Sequence, residues 1–158
     1  MQQSFIKIAL DSWYSHINRT SKLLDSLTDE QLAAEVAPGR NTGIYLLGHL
    51  VAVHDALLPL LNIGSKLYPS LEEPFIKQPD KSGLAIPTAQ ELRTYWTEVN
   101  DALTLSFNLM NTDEWFQKHT SVSEEDFAIN PLRNKLNVLL SRTTHLAYHF
   151  GQMAFLKK

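Results

Sequence analysis

Cysteine is absent from the 158 residues. That excludes disulfides, thiolate metal ligands and a cysteine nucleophile, and it makes a reducing, cytoplasmic setting the natural expectation. Glycine is scarce, with six residues, and none forms a phosphate-cradling loop or the G-x-S-x-G turn that presents a catalytic serine. Blocks of positive charge are missing too. The 14 Lys and Arg residues lie scattered among 17 Asp and Glu, for a formal charge of −3. A nucleic-acid binder needs a concentrated basic footprint, so no nucleic-acid partner is expected and a small-molecule substrate is. The N-terminal Met1–Lys7 has no basic stretch leading into an apolar run, so no signal peptide is expected. The longest apolar stretch is interrupted by His49, His54 and Asp55, which reads as too short and too polar for a membrane span.

What is present is helical periodicity. The length suits one domain, residues 1–158, and a chain of this size buries roughly 70% of its unfolded surface. Ile6, Leu10, Trp13, Ile17, Leu24 and Leu27 recur at three- and four-residue intervals, with Thr20 filling the one gap, predicting a first long helix over about Ser4–Leu27. Thr28 with Gln31 forms a capping box that opens a short helix to Glu35, stopped by Pro38-Gly39. A second long helix is expected from Asn41 to Leu58 or Ile63, with Pro59 ending or kinking it and Gly64 as its C′ residue. Residues 64–87 hold four prolines and two glycines and read as one long, non-helical connection, of the kind that often serves as a functional loop or lid. Thr88 with Glu91 caps a third helix to about Met110. Thr112-Asp113-Glu114 opens a short turn, and Asn130-Pro131 reads as the start of a fourth helix ending near Leu156. The fold class is therefore all-α: a four-helix bundle with a long connection between helices two and three. The order of long helix, short Thr-Asp-Glu helix and histidine-bearing helix occurs in both halves, through pseudo-two-fold symmetry or by chance.

Chemistry concentrates in the histidines. His145 and His149 stand four apart, about 40° round a helix, and so project from one face at a spacing that lets two imidazoles share a metal ion. His49 sits on a largely apolar helix with Tyr45, Val53 and Ala56 on its side. Together the three make a metal site the leading expectation. His54 is about 140° from His49, so His54 and Asp55 are expected to face solvent or a partner. His16 and His119 carry no signal, and Asp126 lies in a loop from which it could reach a site as ligand or base. The fourth helix reads H-L-A-Y-H and lacks the glutamate of H-E-x-x-H, and Glu-x-x-His di-iron pairs are absent. Gln152 shares the histidine face, and Tyr45 and Tyr148 flank it.

The segments Gly48-His49-Leu50-Val51-Ala52-Val53-His54-Asp55 and His145-Leu146-Ala147-Tyr148-His149-Phe150-Gly151-Gln152 resemble those of the DinB/YfiT-like superfamily of four-helix metalloenzymes. The family pattern places one ligating histidine midway along helix two and two as H-x-x-x-H, followed by a small residue and glutamine, near the end of helix four. His49, His145 and His149 match those positions. The resemblance implies a divalent metal (nickel, zinc or iron), frequently a homodimer, and a spread of activities that includes S-transfer and isomerisation with low-molecular-weight thiols. Three neutral imidazoles leave an ion with an open position, where water or an external thiol would be activated. A thiol S-transferase is expected on family grounds. The competing reading is a non-enzymatic metal-binding or ligand-binding helical bundle.

Overall fold

A computed structural model describes residues 1–157. Among them there is no strand, and eight α-helices account for the fold: α1 Gln2–Ser26, α2 Asp29–Ala33, α3 Gly43–Asp55, α4 Leu57–Leu60, α5 Ala89–Leu109, α6 Thr112–Trp115, α7 Glu124–Ile129 and α8 Lys135–Met153. The two capping boxes form as their sequences require. Thr28 and Gln31 exchange bonds at the start of α2, and Thr88 and Glu91 do the same at the start of α5.

Helix ends elsewhere depart from the sequence expectation for identifiable reasons. The second long helix breaks at Ala56, because Pro59 has no N–H to donate to the Asp55 carbonyl. The segment then ends in a Schellman motif. Asn62, at φ 55°, takes the C′ position assigned to Gly64, with Ile63 N–H bonded to the Leu58 carbonyl and Asn62 N–H to that of Pro59. Asn130-Pro131 does not open the last long helix. Asn130 instead ends α7, which the sequence reading missed, and its side chain closes a turn onto Leu132 N–H. Asn134 is the true cap of α8, accepting from Asn137 N–H at 2.9 Å. A bridge between Lys118 and Asn134 holds that backbone extended until the helix begins. Asn111, rather than Thr112, caps α6.

The directions of the long helices follow from their contacts. Arg93 of α5 donates to the Leu27 carbonyl just past α1, and Phe107 near the other end of α5 packs on Trp13, so α1 and α5 are antiparallel. Gly43 at the start of α3 lies against Leu156, beyond the end of α8, so α3 and α8 are antiparallel. Arg19 stacks over Phe150, and Gln31 just past α1 donates to the Leu156 carbonyl just past α8, which sets α1 beside α8 in the same direction. It follows that α3 and α5 run parallel, and residues 61–88 must return the full length of α3. They do so as a strap pinned to it. The Asp55 carboxylate accepts from Leu67 and Tyr68 N–H at 2.7 and 2.8 Å, and Tyr45 donates to the Gln78 carbonyl at 2.8 Å. At the far end Asp80 accepts from Thr42 N–H at 2.6 Å. The strap is not wholly irregular: Pro69–Leu71 forms a 3₁₀ turn and Glu73–Lys77 a π-helical one.

One continuous core links these elements through Trp13, Leu46, Leu47, Leu50, Phe75, Trp96, Trp115 and Leu146. Gly43–Leu60 is long and apolar enough to cross a membrane (18 residues, mean hydropathy 1.4), contrary to the sequence reading, yet 67% of it is buried inside the protein. It has the burial of a core helix.

Candidate metal centre

Helix α3 and the antiparallel α8 bring three half-buried histidines to one point. His145 Nε2 lies 3.2 Å from His49 Nε2 and 3.1 Å from His149 Nε2, and the three candidate ligand atoms all fall within 4.8 Å of one another. A tetrahedral ion held by imidazoles at about 2.0–2.1 Å needs nitrogen separations of roughly 3.3–3.4 Å, so the group has the size of a metal site.

The outer nitrogens decide what the inner ones offer. His49 Nδ1 donates to the Phe75 carbonyl at 2.8 Å, and His149 Nδ1 donates to Gln152 Oε1 at 2.7 Å. Each bond fixes the proton on Nδ1 and leaves an Nε2 lone pair aimed inward. Two inward lone pairs face a third nitrogen, and a single proton on His145 Nε2 can satisfy only one of them. Burial pushes the His145 imidazole down to about 4, and the neighbouring His149, His49 and Arg142 push it the same way. His149 is lowered as well, chiefly by burial, against a raising bond to Gln152. Near neutrality His145 and His149 are thus uncharged nitrogen donors, which is the form a metal needs.

The Phe75 carbonyl comes from the π-helical turn of the strap, seated on α3 where Gly48 offers no side chain. A Cβ on Gly48 would lie 2.3–2.6 Å from the Phe75 ring. Sequence reading missed both parts. Gly48, immediately before His49, was a signal that something approaches α3 closely, but a backbone carbonyl carries no residue signature.

The flanking candidates separate. Gln152 touches His149 directly. Tyr148 is largely exposed, its ring edge-on to His149 and its hydroxyl 3.3 Å from the Gln152 amide nitrogen. Tyr45 stacks parallel to His49 at 6.4 Å, while its hydroxyl is engaged by the strap.

His54 and Asp55 do not face solvent. His54 is fully buried between the Trp13 and Trp96 rings, with Nδ1 2.9 Å from Asn100 Oδ1, and Asp55 is buried holding the strap. The reason is that α3 is covered on more than one face, by α5 and α8 and by the returning strap. His16 bonds locally to the Ser12 carbonyl. His119 stands in the α6–α7 loop, and Asp126 is exposed and pairs with Arg133 at 3.1 Å, so neither joins the three histidines.

No curated protein matches the chain closely enough to lend it an activity. The model of the DinB superfamily matches residues 12–153, which covers the histidine helices and everything between them. The chain belongs to the DinB superfamily.

Proposed function

We propose that His49, His145 and His149 hold a divalent transition metal, and that the protein is a metal-dependent enzyme acting on a small molecule, of the thiol S-transferase type. The observation that carries the metal reading is the pair of outer bonds, to the Phe75 carbonyl and to Gln152, which turn two Nε2 lone pairs toward His145 Nε2. Imidazole donors suit nickel, zinc and iron alike. An ion on three neutral imidazoles keeps a coordination position open and lowers the pKa of a water or thiol that binds there. The chain's own part is to orient the imidazoles, keep His145 and His149 neutral by burial, and present the three rings' face at the surface between α3 and α8. With no cysteine in the protein, the sulfur of a transfer reaction comes from an external low-molecular-weight thiol. The same reading takes the four long helices as the family's four-helix bundle, residues 1–158 as one domain, and the working form as a cytoplasmic homodimer.

The test is metal content in protein purified without a nickel column or chelator. Wild type is expected to hold a stoichiometric transition metal. His49→Ala, His145→Ala and His149→Ala should each lose it, while His16→Ala keeps it. No metal in wild type, and none taken up from nickel, zinc or iron, would refute the site. Metal retention without conversion of an electrophile in the presence of glutathione or bacillithiol would refute the transfer chemistry alone.

A further inference from the structure

Along α8 the histidine face continues one turn toward the N-terminus into a cavity of about 320 Å³, lined among others by Leu60, His119, Arg133, Asn137 and Arg142. Arg142 precedes His145 by three residues, so both belong to the same side of the helix. Two residues that line this cavity, Arg142 and His119, each carry a buried nitrogen without a hydrogen-bond partner, Arg142 Nε and His119 Nδ1. A guanidinium half-withdrawn from water normally has a carboxylate against it. Here burial alone acts on Arg142, with no acidic group opposing it. His119 is surrounded by positive charge, from Arg133 and Lys118. Carboxylates on the neighbouring elements are already engaged: Asp126 with Arg133, and Glu124 with Lys118. His119 also borders an adjoining cavity that contains Lys135, a residue only 5% exposed.

We propose that this cavity is a binding site for an oxyanion (a carboxylate or phosphate group) carried by the substrate whose reacting atom reaches the three histidines. The planar guanidinium fork of Arg142 suits such a group, and a small turn of the Arg142 and His119 side chains would bring their unpartnered nitrogens to its oxygens. The link to a reacting atom rests on the metal reading above; the anion site itself does not.

The experiment uses metal-free protein, titrated calorimetrically with inorganic phosphate and separately with acetate at constant ionic strength. The Arg142 Nε–H resonance is followed by NMR to locate the binding. Saturable binding of one or both anions is expected, with the Arg142 resonance moving in step; whichever anion binds identifies the group. Arg142→Gln should weaken it roughly tenfold or more. Asn137→Asp provides a second route that leaves Arg142 intact. Position 137 is third in α8, where an acidic side chain favours the helix, and its negative charge in the wall of the same cavity should repel the anion and weaken its binding. Unsaturable shifts, or affinity unchanged in both variants, would overturn the proposal. So would phosphate that binds only metal-loaded protein and survives Arg142→Gln, since the anion would then sit on the metal. Protein that takes up no metal yet binds phosphate through Arg142 would refute the metal reading and leave this one standing.

Discussion

At His149 a single hydrogen bond sets how the imidazole would meet a metal. Its Nδ1–H donates to Gln152 Oε1 at 2.7 Å, three residues on and therefore under one turn away. Without that acceptor the ring is free to rotate and to carry its proton on either nitrogen. Partners of this kind typically contribute 10- to 100-fold to metal affinity. Gln152→Ala is therefore expected to weaken the metal by about 10- to 100-fold, measured by competition with a chromophoric chelator. Gln152→Glu keeps an acceptor oxygen and should lose far less. Tyr148→Phe should change little, because its hydroxyl meets only the outer amide of Gln152. An alanine variant that binds metal as wild type does would show that packing alone orients His149. This part of the site was legible in the sequence, since helical spacing fixes the relation of residues 145, 149 and 152 without knowledge of anything else. The matching bond from His49 was not, because its acceptor is the main chain of Phe75, 26 residues distant.

Elements set the next level, and here the strap is decisive. The helix wheel of α3 identified the side that carries His49, but a wheel assumes one covered face. Helix α3 is apolar nearly all round, and its remaining side is covered by the strap, which accounts for the burial of His54 and Asp55. Proline-rich composition rightly marked residues 64–87 as one long connection; it held no information about the path that connection takes. That path depends on long-range contacts, the fit of Phe75 on Gly48 among them. Gly48→Ala places a methyl group 2.3–2.6 Å from the Phe75 ring, so the strap must lift. The expected result is destabilisation of about 1–3 kcal/mol in denaturant unfolding. Because the Phe75 carbonyl moves with the ring, metal affinity should fall as well. Loss of stability with unchanged affinity would mean that the strap covers the site without orienting His49.

The molecule as a whole carries these buried imidazoles as a pH-dependent load on its stability. Burial pushes His54 down to about 3, against a raising bond from Asn100, and His145 to about 4, with His149 lowered too. In the unfolded chain each takes up a proton near pH 6.5. Below that value the unfolded state binds protons that the native rings refuse, so stability falls as pH drops, and the loss levels off only beneath the folded pKa values. Above pH 7 both states are neutral and the contribution vanishes. His54 dominates, because it is fully buried with no water to screen it. At about 1.4 kcal/mol per pKa unit its full effect is several kcal/mol. Denaturant unfolding of metal-free protein between pH 7 and 5 covers this region, an interval that lies above the ordinary carboxylate range and toward which burial raises Asp55. Wild type should lose stability steadily over that interval. His54→Gln should be less stable at pH 7, where Asn100 and the two tryptophans lose their fitted partner, but its dependence on pH should be shallower. A wild-type profile flat from pH 7 to 5 would mean that His54 is not held neutral. Loading the metal should raise stability without flattening that profile, since an ion keeps protons off its native ligands while the unfolded chain still takes them up. The dependence below pH 7 should therefore stay as steep or steepen, with the share of His54 unchanged.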